Sequence, residues 1–150
     1  MRKVSRSALV PYSADQMYAL VEDFLAYPDF LPWCAGATLH FRDTDTIEAS
    51  LELQRSGIRK SFRTRNSLQP GIAMGIALVG GPFRHLAGGW RFEQLGADGS
   101  KVSLQLDFEF ENRVTDKLFG RYFESTCNSL IDSFTQRAHK IYGQAPDVRF

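Results

Sequence analysis

The chain has 150 residues, 43% of them hydrophobic and 23% charged, which is enough for one domain with a substantial core. Its formal net charge of +1 excludes the strong basic excess that is typical of nucleic-acid-binding proteins, so only a local basic patch could contact nucleic acid. The sequence shows no signal-peptide pattern and no apolar run of about 18 residues. We therefore expect a cytoplasmic protein without a transmembrane segment, with Cys34 and Cys127 as reduced, buried thiols.

The first predicted elements are a short strand and a helix. Residues 3–10 alternate apolar and polar side chains, as a half-buried strand does. Ser13 and Gln16 have the spacing of a capping box, and apolar residues at helical spacing then predict a helix over about 14–24.

The segment 27–34 carries two prolines, Pro28 and Pro32, which restrict it to a tight turn or a single helical turn. Its large apolar side chains, Phe30 and Trp33 among them, are too apolar for a free loop. We expect this segment to pack against the rest of the protein or to cover a cavity.

From about residue 35 to about residue 112 the pattern has the period of two that is typical of strands. About six strands are predicted there, separated by turn signals such as 69–71 and 97–99. Strands that are joined by hairpins predict an antiparallel sheet. Because one face of the strands is polar and the other apolar, we expect helices to cover the sheet on one side only.

The strands on either side of Gly57 have a predicted register. A two-residue loop at 57–58 places Leu53 opposite Phe62. It also places Glu52 opposite Arg63, so that apolar groups face apolar groups and charges face charges.

The last predicted element is one long amphipathic helix over about 116–142, with an apolar stripe at spacings of three and four. Thr115 or Asp116 is the expected N-cap, and Gly143 is the expected end. Residues 144–150 are expected to form a flexible tail.

Together these elements predict an α+β fold in which a curved antiparallel sheet of about six to seven strands wraps around the long C-terminal helix, with short helices after the first strand. Gaps between the sheet and the helix are where a small-molecule site would form, and we expect a site for an apolar ligand there. The candidate ligand-binding residues are Phe30, Trp33, Leu53, Phe62, Thr64, Asn66, Phe83, Trp90, Phe92, Leu106, Phe108, Tyr122 and Phe123.

Some of these candidates have two interpretations. Thr64 and Asn66, on the apolar face, either bond to backbone or water, or orient the polar head of a ligand. Tyr122 has the same two roles open to it. Phe83 is predicted on a glycine-rich loop, where it either plugs a tight turn or gates the mouth of the cavity together with Phe30 and Trp33.

The sequence offers no catalytic set. His40, His85 and His139 do not have metal-ligand spacing, so we interpret them as isolated surface or packing residues. No nucleophile elbow, phosphate-binding loop, dinucleotide motif or CxxC pair is present, and strand acids such as Asp107 and Glu109 are predicted to face water. We therefore expect a protein that is not an enzyme and that requires neither a metal nor a cofactor.

A basic cluster lies on one predicted hairpin and consists of Arg59, Lys60, Arg63 and Arg65. It is either a solvated face that Glu52 partly neutralises or a docking patch for an anionic surface, which would be phospholipid or ribosomal RNA.

Across residues 3–143 a series of short motifs occurs in a fixed order: Leu9–Ser13, Met17-Tyr18, Tyr27–Pro32, Gly57-Ile58, Gly81–Phe83, Gly88–Phe92 and Leu106–Phe110. In this order and spacing they resemble the START-like, helix-grip superfamily. Within it, the chain is similar to the coenzyme-Q-binding and polyketide-cyclase-like branch, above all to the bacterial ribosome-association toxins. The resemblance implies one helix-grip domain over 1–143, with a cavity between sheet and C-terminal helix.

The resemblance implies two functions, which the sequence leaves open. Coenzyme-Q-binding members imply a carrier of ubiquinone or a similar isoprenoid lipid in support of respiration, with transient contact at the surface of the inner membrane. Toxin-like members imply binding to the large ribosomal subunit and a block of subunit association. A third hypothesis, a small cyclase or aromatase, needs a placed acid or base, and the sequence offers none.

Overall fold

The computed structural model describes residues 1–143, and within them a seven-stranded antiparallel sheet carries helices on one face. The strand order is β1-β7-β6-β5-β4-β3-β2, so the first two strands of the chain form the two edges. This confirms the predicted α+β, helix-grip architecture. The strands are β1 (Arg2–Val10), β2 (Cys34–Arg42), β3 (Thr46–Arg55), β4 (Ile58–Gln69), β5 (Ala73–Gly80), β6 (Phe83–Leu95) and β7 (Gly99–Phe110).

The helices follow β1 and β7. Helix α1 (Ala14–Glu22) begins with the predicted capping box, in which the Ser13 hydroxyl accepts from the Gln16 N–H at 3.1 Å. A 3₁₀ turn (Phe24–Ala26) and one helical turn, α2 (Tyr27–Phe30), come next, as the prolines predicted. Helices α3 (Arg113–Asn128) and α4 (Leu130–Tyr142) close the described chain.

The prediction of one continuous C-terminal helix is wrong, because the helix breaks at Ser129. The Ser129 N–H donates to the Thr126 carbonyl at 3.1 Å, a contact one residue shorter than the α-helical one. The side chains of Thr126 and Asn128 also donate to carbonyls of the preceding turn, at 2.8 and 3.1 Å. Such side chains compete with the backbone for these carbonyls, which is the local reason for the break.

The predicted N-cap of this helix is also wrong by a few residues. Asn112, not Thr115 or Asp116, is the cap, and its side chain accepts from the Thr115 N–H at 2.9 Å. Asn is as good a cap as Asp, so the sequence pattern alone did not discriminate between them. Asp116 instead binds Arg2 of β1 at 3.0 Å and connects the helix to the edge of the sheet.

The register between β3 and β4 differs from the predicted one by two residues. The loop is Ser56-Gly57, with φ values of 51° and 79°, rather than 57–58. Leu51 therefore pairs with Phe62, and the predicted pairing of Leu53 with Phe62 is wrong. Because a shift of two residues keeps each side chain on its face, Phe62 still points inward.

Gly143 follows α4 with a φ of 83°, so the helix ends where the sequence predicted. Among residues 1–143, no helix combines the length and the apolar character needed to cross a bilayer. The predicted tail, 144–150, lies outside the described residues.

Candidate ligand-binding cavity

A cavity of about 90 Å³ lies between the inner face of the sheet and the helices. Strands β3 to β7 supply its floor, and α3, α4, the 3₁₀ turn and the segment after α2 supply its roof. Seven of the predicted ligand-binding residues line it: Trp33, Phe62, Thr64, Asn66, Trp90, Leu106 and Phe123.

Further lining residues were not among the predicted candidates: Phe24, Tyr27, Ala49, Leu51, Met74, Ile76, Leu86, Leu104, Cys127, Leu130 and Phe134. A signal existed for most of them. Ala49 and Leu51 share the inward alternation of Leu53, and Leu130 and Phe134 lie on the apolar stripe of the predicted helix. Alternation and the apolar stripe show which side chains point inward, but they do not show at which position along the strands a cavity forms.

Six predicted candidates lie outside the cavity lining. Leu53 and Phe108 are both 0% exposed and belong to the packed core. Phe92 packs edge-on against Tyr18, with ring centroids 5.5 Å apart. Phe30 and Tyr122 are half-buried at the periphery, and each lies beneath a guanidinium, of Arg137 and Arg55 respectively.

Phe83, the sixth, is not on a loop as predicted. It is the first residue of β6, is 6% exposed and stacks on Phe110 with ring centroids 4.5 Å apart. The strand begins directly after the turn because the Glu111 N–H donates to the Pro82 carbonyl at 2.7 Å. In this position the ring packs in the core next to Phe62 and Phe123.

Three residues of the predicted set with polar side-chain atoms line this largely apolar space: Trp33, Thr64 and Asn66. Thr64 is 9% exposed, and the indole nitrogen of Trp33 and the amide oxygen of Asn66 are both buried without a hydrogen-bond partner among residues 1–143. Buried polar atoms of this kind destabilise a fold by roughly 1–3 kcal/mol each unless something pairs with them. They are therefore the groups at which a bound molecule would gain most.

The ionisable groups of the cavity are held in their neutral forms. Burial raises the pKa of the Cys127 thiol to about 12, and burial also raises the pKa of the Tyr27 phenol, which donates to the Val21 carbonyl. Burial also raises the pKa of the Cys34 thiol, at the first residue of β2 and outside the cavity lining, to about 11. Thiols with such pKa values are poor nucleophiles at neutral pH.

The predicted docking cluster divides into two parts. Arg63 and Arg65 both bind the carboxylate of Glu48, and these contacts lower its pKa. The predicted partner of Arg63, Glu52, pairs with Ser61 instead. Arg59 and Lys60 are exposed near the hairpin tip, with no carboxylate within 4.0 Å in the described part of the chain.

The histidines lie apart from the cavity lining. His40 is on β2 and its Nε2 lies 2.7 Å from the Ser50 hydroxyl, whereas His139 on α4 contacts the Tyr12 hydroxyl. His85 is half-buried in β6. Over residues 1–143, no three His, Cys, Asp or Glu side chains come together as a metal site.

The sequence is similar to proteins with two kinds of name. It is 42% identical over 144 residues to a Vibrio cholerae protein named ribosome association toxin RatA, covering 96% of this chain and 100% of that protein. It is 27% identical over 145 residues to a Xenopus laevis protein named coenzyme Q-binding protein COQ10 homolog B, mitochondrial, covering 93% of this chain and 59% of that protein.

Solved structures share the fold over nearly the whole chain. The Zhui aromatase/cyclase from Streptomyces sp. R1128 has a TM-score of 0.82 at 18% identity, covering 98% of this chain and 99% of that one. A START superfamily protein from Mycobacterium smegmatis has a TM-score of 0.75 at 22% identity, covering 93% of this chain and 98% of that one. Residues 10–135 match the family described as polyketide cyclase / dehydrase and lipid transport. The chain therefore belongs to the polyketide cyclase / dehydrase and lipid transport family, and it has the helix-grip fold that its motifs predicted.

Proposed function

We propose that the protein binds, without catalysing a reaction, an apolar ligand of the quinone or isoprenoid class between the sheet and helices α3 and α4. One observation carries this proposal: two residues that line an apolar cavity, Trp33 and Asn66, each have a buried polar atom without a hydrogen-bond partner among residues 1–143. An aromatic lining with a few placed polar groups is the usual composition of a small-molecule site. The name of the Xenopus relative, a coenzyme Q-binding protein, supports ubiquinone as the ligand.

The size of the cavity determines how such a ligand would enter. The cavity of about 90 Å³ is smaller than the roughly 300–1,000 Å³ of typical ligand pockets, so binding requires side chains to move. Leu51 and Ile76 are half-buried lining residues, and Met74 has a flexible side chain that adapts easily. The head group would displace these side chains, and an isoprenoid tail would leave along the half-buried part of the sheet.

The chemistry of the lining supports binding rather than catalysis. Thr64, Asn66 and Trp33 do not ionise near neutral pH, and the raised pKa values of Tyr27 and Cys127 keep both protonated. A general acid or base works best with a pKa near the working pH. The aromatase/cyclase with the same fold is only 18% identical, and that likeness shows the fold alone.

The first experiment is native mass spectrometry with organic extraction of the protein purified from its own host, followed by titration with a short-chain ubiquinone. Ala49→Leu places extra carbon atoms into the cavity, and we expect at least about tenfold weaker binding. Ala77→Leu adds the same atoms on the exposed face of β5 and is the matched control. An empty protein that takes up no quinone, or equal binding by both variants, would contradict the proposal.

A carrier of such a lipid must exchange it with a bilayer, and the structure has one surface that suits transient membrane contact. Ile58, Val114 and Leu118 are 39%, 71% and 39% exposed and border one depression together with the cations Arg55 and Lys117. Apolar side chains among cations favour an anionic membrane surface. We expect Val114→Asp to abolish flotation with anionic vesicles, whereas Val79→Asp, at an exposed valine of β5, should float as the parent does.

A second function is favoured by a specific observation, the 42% identity with a protein named ribosome association toxin over the whole of that protein. We propose that the chain also binds the large ribosomal subunit in the cytoplasm and blocks subunit association. Arg59 and Lys60 are the cations best placed to contact ribosomal RNA, because Glu48 already neutralises part of the charge of Arg63 and Arg65.

Co-sedimentation with isolated large subunits at low salt tests this second function. Arg59→Glu combined with Lys60→Glu should reduce binding strongly, and added salt should do the same. Lys3→Glu with Lys101→Glu makes the same charge change on β1 and β7, away from the hairpin, and should leave binding unchanged. If the parent protein did not co-sediment with the large subunit, or if both double variants lost the same amount of binding, the proposal of a specific docking patch would be contradicted.

A further inference from the structure

The surface proposed for membrane contact and the cations proposed for ribosome docking meet on the hairpin between β3 and β4. Arg55 and Ile58, from the membrane-contact surface, pair across this hairpin directly next to its turn. Lys60, from the docking cluster, pairs with Leu53, two residues further along both strands. Side chains two residues apart in a strand point to the same side of the sheet, so Lys60 and Ile58 share one face and are about 7 Å apart at roughly 3.3 Å per residue.

This face of the hairpin is the one that meets α3. The Arg55 guanidinium donates to the Leu118 carbonyl at 2.5 Å and lies over the Tyr122 ring, 5.2 Å from its centroid. Ile58 borders the same depression as Val114 and Leu118. The hairpin and the first turns of α3 therefore form one continuous surface at this end of the sheet.

The cations of this surface are available to a partner. Arg55, Arg59, Lys60 and Lys117 are exposed, and none of them has a carboxylate within 4.0 Å among residues 1–143. Lipid phosphates and RNA phosphates both carry negative charge, so the same cations attract both. The two proposed partners therefore depend on one set of unpaired cations.

The distance between the two proposed surfaces is small compared with the area that a macromolecule covers. A specific interface typically covers about 800 Å² of each partner, which is a patch about 30 Å across. A bilayer is a continuous plane and leaves no room for a second macromolecule at the side chains that it contacts. We infer that an anionic membrane and the large ribosomal subunit compete for this end of the protein, so that membrane contact withdraws the protein from ribosomes; this inference rests on both functions proposed above.

The test is a flotation gradient that contains the full-length protein, isolated large subunits and vesicles of phosphatidylglycerol and phosphatidylcholine at low salt. With vesicle lipid at about ten times its own dissociation constant, the apparent affinity for the subunit should fall about tenfold, because the two partners exclude each other. Vesicles of phosphatidylcholine alone are the matched control and should leave the protein on the subunits. Subunits that float together with the protein and the anionic vesicles would demonstrate simultaneous binding and overturn the inference.

Two exchanged variants test the shared surface with one partner at a time. Lys60→Glu, in the docking cluster, should weaken vesicle binding by at least about fivefold, and Val114→Asp, in the membrane-contact surface, should weaken subunit binding by a similar factor. Lys3→Glu and Val79→Asp make the same changes at exposed positions of β1 and β5 and should leave both affinities unchanged. If Lys60→Glu kept full vesicle binding and Val114→Asp kept full subunit binding, the two surfaces would be separate and the inference would be wrong.

Titration of the parent protein with each partner alone distinguishes failure of the inference from failure of the proposed functions. If the protein binds both partners alone but they do not compete, the inference is overturned and the proposed functions stand. If the protein does not bind one of the partners alone, the corresponding proposed function is contradicted, and the inference is contradicted with it.

Discussion

Glu48 lies on the outer face of the sheet, where it holds two cations of the neighbouring strand. Its side chain is 11% exposed, and it binds Arg63 and Arg65, the latter at 2.8 Å. The hydrogen bond from Arg63 is the main reason why the pKa of Glu48 lies below its ordinary value of 4.5. A single carboxylate therefore determines the positions of half of the predicted docking cluster.

This pair of contacts predicts how stability depends on pH. A carboxylate whose pKa is lowered by folding contributes stability above its unfolded pKa, and the contribution is lost as the pH falls through the folded pKa. We therefore expect Glu48→Gln to lower the urea midpoint at pH 7 and to differ little from the parent below the lowered pKa of Glu48. If the difference in urea midpoint between Glu48→Gln and the parent persisted unchanged in acid, the charge of Glu48 would not be the source of its contribution to stability.

At the scale of elements, the hairpin between β3 and β4 depends on two residues with left-handed backbone. Ser56 has a φ of 51° and Gly57 a φ of 79°, a pair that suits the twist of a tight hairpin. This turn determines the register in which Leu51 meets Phe62. The predicted register was wrong because it placed the loop at 57–58, one residue too late, and side-chain complementarity did not reveal the error, since the observed register also pairs Glu48 with Arg65.

We expect Gly57→Ala to lower the free energy of unfolding by about 1 kcal/mol, because a Cβ is unfavourable in left-handed backbone. Apart from Gly57 itself and its two neighbours in the chain, no atom of residues 1–143 lies within 4 Å of the added methyl group, so crowding does not explain a loss of stability. Gly80→Ala is the matched control, since it also has open space but no positive φ. Urea unfolding of both variants measures the difference, and equal stability would contradict the turn assignment.

At the scale of the whole molecule, Phe134 connects the layers. It is 1% exposed, and its ring centroid lies 5.4 Å from those of Tyr27, Phe30 and Trp90. These contacts join α4 to the short helical segment on one side and to the sheet on the other. The same ring lines the cavity, so stability and ligand binding share one residue.

We expect Phe134→Ala to destabilise the protein by about 3–5 kcal/mol, which is a large part of the stability of a typical domain. Phe41→Ala, at a phenylalanine of β2 that is 51% exposed, should stay within about 0.5 kcal/mol of the parent. Thermal and urea unfolding measure both. Similar losses in the two variants would mean that α4 is not held to the sheet through this ring.

Local signals in the sequence determined most of the fold. Alternation identified the strands and their inner faces, the Ser13–Gln16 spacing identified the start of α1, and the apolar stripe identified the C-terminal helices. Each of these signals acts between residues that are neighbours in the chain. The inward direction of Thr64 and Asn66 followed from the same alternation, and seven of the thirteen predicted candidates line the cavity.

The position of the cavity and the strand positions that the helices cover depend on tertiary packing. Leu53 and Leu51 have the same alternation, yet Leu53 is fully packed and Leu51 lines the cavity, a difference that alternation alone does not distinguish. Phe83 likewise became a core residue because β6 extends to it and pairs it with Phe110, at the end of the hairpin opposite the turn. Periodicity is a local property of the chain, whereas coverage depends on packing between distant segments, and this is why the sequence determined the faces and the fold determined the site.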